Sequence, residues 1–297
     1  MSAVALRGIV SYPITPFTHS NQVDETLLRN IVENMLRAGV HAIAPLGSTG
    51  VMPYLSDEER EAVTEAVVKQ VDGRVPTLVG VSSLTTERTV HHARYAQAVG
   101  ASAVMIIPMS YWKLTDKEIV KHYDTVAKAI SIPIAVYNNP ATGGIDLAPE
   151  TIAQLLEIPN VTMVKESTGD VNRMHRLVQL CGEKLSFFNG SNPLALAAFV
   201  AGAKGWCTAA PHLIPALNLE LYAAVERNDL PSAKKAFYRQ LPLLQFIVKY
   251  GLPRTIAAGL GLMGIEVGPL RAPLQPLERP QVEEIRTILG ELEVLAR

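Results

Sequence analysis

The sequence predicts an α/β chain folded as a (β/α)8 TIM barrel with an added C-terminal helical segment. Three observations carry this. Short β-rich runs alternate with capped helical stretches, about eight times in roughly 220 residues. The runs are continuous apolar stretches rather than alternating ones, the pattern of parallel strands covered on both faces. No dinucleotide fingerprint comes after the first run, which favours a closed barrel over an open sheet.

The first unit is "GIVSYPITPF" (8–17), which precedes a helix from about Asp24 to Ala38. "AIAPLGSTG" (42–50) precedes a helix capped by Ser56, with Glu59 completing S-x-x-E. "TLVGVSS" (77–83) precedes one near Thr85–Val99. "AVMIIPMS" (103–110) precedes one capped by Thr115, with Glu118 three residues on. "PIAVYNNP" (133–140) precedes a helix opening at Ala148-Pro149-Glu150, where proline suits the first turn. "VTMVKEST" (161–168) precedes one near Asp170–Cys181. "LSFFNGS" (185–191) leads into "NPLALAAFVAGA", and "GWCTAA" (205–210) into "PALNLELYAAVER". Three helical stretches remain, "PSAKKAFYRQLPLLQFIVKY", "LPRTIAAGLGLMG" and "RPQVEEIRTILGELEVLA". The expected organisation is a catalytic barrel over 1–229 and a helical segment over 230–297 packed on it, with no linker between them.

Bulk properties narrow the function. The chain has 297 residues, 48% hydrophobic and 19% charged, enough for a large core and against disorder. Net charge is −1 and no dense Lys/Arg cluster appears, so nucleic acid and anionic membranes are not expected partners. Cys181 and Cys207 form neither a CxxC pair nor a metal spacing and suit a reducing compartment. The N-terminal stretch "MSAVALRGIVSYPITPF" has no basic region before an apolar block, so no signal peptide is read. The longest apolar stretch, "LALAAFVAGA" (194–203), is too short to span a bilayer. A soluble, cytoplasmic protein is expected.

In such barrels the active site forms at the carboxyl ends of the strands. Those ends carry Thr15 and Pro16; Gly47-Ser48-Thr49-Gly50; Ser110, Tyr111 and Trp112; Tyr137, Asn138 and Asn139; Lys165 and Glu166; Asn189 and Gly190; Cys207 and Thr208. Lys165 stands at the end of an apolar strand, where a charge is costly unless paired or neutralised. Taken alone it reads first as a snorkelling or ion-paired lysine. Its chemical reading is a Schiff-base lysine: desolvation disfavours an ammonium, and a neutral amine attacks a ketone. Tyr137 alone is an amphipathic core residue, but as a phenol at the preceding strand's end it can relay protons. "GSTG" alone is a turn, but its hydroxyls and N–H groups can cradle a carboxylate. Amine, phenol and anion cradle together describe a site for a small 2-oxo acid.

Other motifs carry less. "GLGLMG" (259–264) matches G-x-G-x-x-G, but a helical pattern precedes it, so close helix packing or a C-cap is expected rather than a nucleotide site. His91 and His92 lie mid-helix and are expected at the surface. His212 lies after the eighth run with no partner evident. No His/Asp/Glu cluster shows metal spacing, and neither metal nor cofactor is expected.

The chain resembles the family of Schiff-base lyases that includes dihydrodipicolinate synthase and N-acetylneuraminate lyase. The resemblance rests on "YPITPF", "GSTG", "YNNP", "VKESTGD", "NGS" and "GLMGIEVGPLRAPLQPL", and covers nearly the whole length. It implies that Lys165 forms the imine with pyruvate or another 2-oxo acid, that Tyr137 relays protons, and that Ser48 and Thr49 bind the keto-acid carboxylate. Tyr111, Thr142, Gly190, Asn192 and Cys207 are expected to complete the substrate site, and a homotetramer built as a dimer of dimers is implied. The departures bear on the reaction. Thr142 stands where the synthases carry an arginine that holds the second substrate's carboxylate. Ser110 stands where a relay tyrosine is usual, with Tyr111 one residue later. Ser191, Asn192 and Pro193 come after Gly190 where the neuraminate lyases carry acidic residues. Val51 replaces the common glutamate after "GSTG" and makes that loop more apolar. The leading reading is therefore retro-aldol cleavage or dehydration of a 2-keto-3-deoxy sugar acid or similar hydroxy keto acid. The rival readings are a genuine 4-hydroxy-tetrahydrodipicolinate synthase, condensing pyruvate with aspartate semialdehyde, and a non-catalytic keto-acid-binding barrel.

Overall fold

The structure, a computed structural model, describes residues 6–182 and 185–295. The expectation that the amino-terminal stretch lacks a signal falls partly on residues outside that range. Eight parallel strands alternate with helices: β1 (Gly8–Ser11), β2 (Ala42–Ile43), β3 (Leu78–Gly80), β4 (Ala103–Ile106), β5 (Ile134–Asn138), β6 (Val161–Glu166), β7 (Phe187–Asn189) and β8 (Gly205–Thr208). They are hydrogen-bonded in the order β2-β1-β8-β7-β6-β5-β4-β3. A parallel bridge from Ile43 to Thr77 brings the two ends together into a nearly closed barrel. Around it run α1 (Glu25–Ala38), α2 (Asp57–Val71), α3 (Thr86–Ala98), α4 (Asp116–Ala127), α5 (Pro140–Gly143), α6 (Pro149–Leu155), α7 (Val171–Cys181), α8 (Ala195–Val200) and α9 (Pro215–Glu226). The added segment comprises α10 (Leu230–Tyr250), α11 (Leu252–Leu262) and α12 (Arg279–Glu291). None of the described helices is long and apolar enough to cross a membrane.

The strands are shorter than the apolar runs that announce them. β2 keeps only Ala42 and Ile43 because the chain leaves the sheet at Pro45 and enters the left-handed region at Leu46 (φ 59°). The rest of each run becomes loop at the barrel mouth. The capping signals are realised: Ser56 with Glu59, and Thr115 with Glu118, each form a reciprocal capping box.

Two cores result from the alternation of side chains along each strand. The larger lies between strands and helices and contains residues such as Ile9, Ile43, Val104, Ile106, Val136 and Val164. The smaller fills the barrel with the intervening positions, among them Val10, Ala44, Met105, Ala135 and Met163. The same alternation points Tyr12, Tyr137, Lys165 and Cys207 inward at the carboxyl end.

The glycine motif at 259–264 is helix packing. Gly259 lies in α11, where a Cβ would come within 2.7 Å of the Leu213 side chain. Beyond α11 the tail crosses back to the first two barrel loops. Gly268 takes a positive φ of 77°, and a Cβ there would overlap the Phe17 carbonyl oxygen. The Arg271 guanidinium donates to both Glu59 carboxylate oxygens at 2.6 Å and lies 4.4 Å from the centre of the Phe17 ring. That hydrogen-bonded pairing holds the Glu59 carboxyl below its ordinary value despite its desolvation.

Candidate active site

The site grows from two adjacent strand ends. In the β5–β6 ladder Tyr137 is paired with Lys165, and both side chains face the barrel interior. Lys165 is 6% exposed, with Nζ 3.8 Å from the centre of the Tyr137 ring and 4.0 Å from that of Tyr12. The amine is thus held between two aromatic faces. The Tyr137 hydroxyl accepts from Asn139 Nδ2 at 2.8 Å and lies 3.4 Å from Ser48 Oγ. Burial pushes the Tyr137 phenol up, but the positive Lys165 and the hydrogen bonds from Asn139 and Ser48 outweigh it, and its pKa falls below the ordinary value. Tyr12 goes the other way: burial first, then Cys207 and Tyr137, raise it well above the ordinary range. Burial also raises the Cys207 thiol, against the opposing pull of Lys165. Two phenols beside one amine are pushed apart by their surroundings, and Tyr137 is the one made more acidic.

The loop after β2 closes the site on the far side. It is bracketed by Leu46 and Val51, both in the left-handed region. A Cβ at Gly47 would lie 2.4 Å from Tyr12 Cδ1, so the loop can approach the ring only as glycine. The Gly50 carbonyl accepts from Thr15 Oγ1 at 2.8 Å. Ser48 and the buried Thr49 face the same cavity as Lys165.

Behind Lys165 stands a buried polar network. Glu166 is fully buried, accepts from Asn138 Nδ2 at 3.0 Å and from the Thr168 N–H at 2.7 Å, and lies 3.7 Å from Arg173 Nε. Arg173 pairs in turn with Asp146 at 2.9 Å and donates to the Leu147 carbonyl. This satisfies a carboxylate that burial alone would penalise and fixes the end of β6.

Gly190 donates to the Glu166 carbonyl at 2.8 Å, and a Cβ there would overlap Ser167 Oγ and lie 2.9 Å from Lys165 Cε. Gly190→Ala should therefore displace the amine. The expected result is a loss of turnover of more than about tenfold, with a stability cost of about 1–3 kcal/mol from overpacking. Steady-state rates and denaturant melts of the variant check this.

The cavity is about 390 Å³, in the range of small-molecule sites, and its lining includes Ser48, Thr49, Tyr137, Thr142, Lys165, Gly190, Asn192 and Cys207. The structure brings these predicted residues together. Asn192 is already engaged, accepting from Trp206 Nε1 at 3.2 Å. Tyr111 is not brought in: it is 89% exposed, stacked edge-on against Trp112, and is not among the residues that line the cavity. Sequence reasoning missed Tyr12, because the first run was read through to Phe17 although its ladder ends at Ser11. It also missed Ile247 and Val248 of α10 and Gly251 and Leu252 at the start of α11, which cover the cavity from the added segment.

His91 is exposed on α3 as expected, whereas His212 and His92 have partners that the sequence did not show. His212 is buried and fully partnered: it accepts from the Ile14 N–H at 3.0 Å and donates from Nδ1 to the Ala209 carbonyl at 2.8 Å, tying the β1 loop to the β8 loop. Burial lowers its pKa from 6.5 to about 4. Because the folded pKa is depressed, the unfolded chain binds the extra proton first. Stability should fall as pH drops from about 6.5 toward 4, by up to about 3 kcal/mol from this group. His212→Gln should flatten that slope in thermal melts between about pH 7 and 4.5; an unchanged slope would assign it to other groups. His92 is not at the surface but 5% exposed, 3.0 Å from Asp57 at the start of α2, a neighbour the sequence places 35 residues away. His91, Glu61 and His92 bring ligand atoms within 4.8 Å of one another, a grouping that spacing along the chain did not reveal. It lies on the outer helices α2 and α3, not at the barrel mouth, and Glu61 and His91 already bond each other at 2.7 Å.

Comparisons with known proteins agree with the fold. The model of the Dihydrodipicolinate synthetase family matches residues 5–292. A 4-hydroxy-tetrahydrodipicolinate synthase of Syntrophobacter fumaroxidans is 34% identical over 272 residues, 91% of this chain and 93% of that protein. The crystal structure of a Pseudomonas aeruginosa protein described provisionally as a dihydrodipicolinate synthetase is 53% identical, with a TM-score of 0.95, covering 97% of this chain and 100% of that one. A prophage protein of the dihydrodipicolinic acid synthase family from E. coli K12, solved in complex with pyruvate, is 25% identical with a TM-score of 0.92, covering 97% and 99%.

Proposed function

This chain belongs to the dihydrodipicolinate synthetase family, whose members are class I lyases, and we propose that it acts on a pyruvate-type 2-oxo acid through an imine at Lys165. The observation that carries the reading is the placement of the Lys165 amine between two aromatic rings, one of them belonging to the acidified phenol of Tyr137. Lys165 Nζ adds to the C2 ketone and water leaves. Ser48 and Thr49 receive the carboxylate. The iminium then draws electrons from C3, and Tyr137 moves protons among the carbinolamine, the substrate hydroxyl and its neighbours. The pyruvate held by the E. coli K12 relative supports the substrate class.

Two reactions share that imine. Retro-aldol cleavage or dehydration of a hydroxy keto acid is favoured by the cavity: Thr142 lines it where the family's synthases carry an arginine, and among its described lining residues Lys165 is the only cation. Condensation with aspartate semialdehyde is favoured by the names of the relatives, and on the comparisons alone it is the better supported of the two. Side-by-side turnover decides: pyruvate release and dehydration from a panel of hydroxy keto acids, against coupled condensation of pyruvate with aspartate semialdehyde. The cavity-based reading expects the condensation to be slower by orders of magnitude, since a missing Arg–carboxylate clamp costs several kcal/mol of orientation. A condensation rate equal to or above the others overturns it in favour of the synthase. We further place the enzyme in the cytoplasm as a homotetramer, to be checked by sedimentation.

A further inference from the structure

A second cavity of about 510 Å³ opens beside the first, and the two share Ser48, Tyr137, Thr142, Gly251 and Leu252. Its far wall is apolar, built from Leu46, Val51, Met52, Ile107, Met109 and Leu274. No Asp, Glu, Lys or Arg occurs among its described lining residues. The Ser82 hydroxyl in that wall is already occupied by the Ile107 N–H at 2.8 Å, and the Met105 sulfur by the Tyr12 hydroxyl at 3.2 Å. A space of this size is far larger than the packing voids of a protein core.

From this we infer that the enzyme's preferred substrates are 2-oxo acids whose C4 substituent is apolar, the aldehyde side of the aldol occupying the second cavity. The inference rests on the imine at Lys165 proposed above. The direction comes from Tyr137. A phenol that serves the C4 hydroxyl places C4 beside its own oxygen, at the wall the two cavities share, from which substituents beyond C4 can extend past Thr142 and Leu252 into the second. Tyr137, having given its phenolic proton to the hydroxyl that leaves as water when the imine forms, takes the C4 hydroxyl proton, the C3–C4 bond breaks with its electrons passing into the iminium, and the aldehyde leaves. The remaining enamine takes a proton at C3, and water releases pyruvate and the free amine. A polyol chain would set most of its hydroxyls against Leu46, Val51 and Met52, with Ser48, Tyr54, Tyr137 and Thr142 as the lining's remaining hydroxyl-bearing residues besides Ser82, and such a site disfavours it.

The test runs the reaction in the aldol direction on the full-length enzyme, with pyruvate and either benzaldehyde, isovaleraldehyde, D-glyceraldehyde or aspartate semialdehyde. The apolar aldehydes are expected to show kcat/KM about 10²-fold above glyceraldehyde. Val51→Asn should reduce that preference about tenfold; asparagine tolerates the left-handed backbone of Val51, so the fold is kept. Met109→Gln, at a half-buried position, provides a second variant with the same expectation. Borohydride trapping with pyruvate alone is run in parallel. Trapping at Lys165 with a preference for glyceraldehyde or aspartate semialdehyde overturns this inference and leaves the proposed function standing. Absence of trapping overturns both.

Discussion

Replacing Lys165 with methionine is expected to abolish turnover, lowering kcat by at least about 10⁴-fold, while the protein stays folded. The bond-breaking step of the proposed reaction draws electrons into the nitrogen that this side chain supplies, and the enamine protonation and hydrolysis after it run on the same adduct, so no neighbour can substitute. The two candidate neighbours, Tyr12 and Cys207, are both held in their protonated forms by burial. Methionine matches the unbranched stem, and its thioether packs well against the rings that flank Nζ. Thermal stability should therefore be unchanged or higher, which separates lost chemistry from lost structure. Residual turnover within about tenfold of wild type would remove Lys165 from the mechanism.

Tyr137→Phe is expected to lower kcat by about 10²–10⁴-fold with little change in KM. The ring face toward Lys165 is kept; only the hydroxyl, with its bonds to Asn139 and Ser48, is lost. Stability should fall by about 1 kcal/mol, chiefly because Asn139 Nδ2 loses its acceptor. Imine formation with pyruvate should still be detectable, since the amine remains. The pH profile gives a second readout. The Tyr137 pKa is lowered, so the protonated relay is lost as pH rises at a point below the ordinary tyrosine value. Wild-type activity should show that alkaline decline and the phenylalanine variant should not. An identical decline in both would assign the titration elsewhere.

The parts of the fold legible in the sequence are those that rest on local rules. Apolar runs announced eight strands, and Ser56/Glu59 and Thr115/Glu118 announced helix starts that the structure reproduces. Contacts across the barrel were not legible. Tyr12 meets Lys165 only because β1 and β6 face each other inside a closed barrel. The cover from α10 and α11 depends on how the added segment folds back, for which no periodicity gives a signal. His92 looked like a surface residue because its partner Asp57 lies on another helix. Tyr111 is the converse: its place in the chain suggested the pocket, and its side chain turns to solvent. Strand ends were read too long because a ladder stops where its partner does, which a single strand's composition does not encode.

A covalent bond between Lys165 and the substrate's carbonyl carbon underlies every step proposed above. It is tested by incubating the native enzyme with pyruvate and borohydride and mapping the peptides by mass. One reduced pyruvate adduct per chain is expected, located at Lys165 and absent from the methionine variant. An unmodified Lys165, under conditions that label a known imine-forming lyase, would contradict the mechanism.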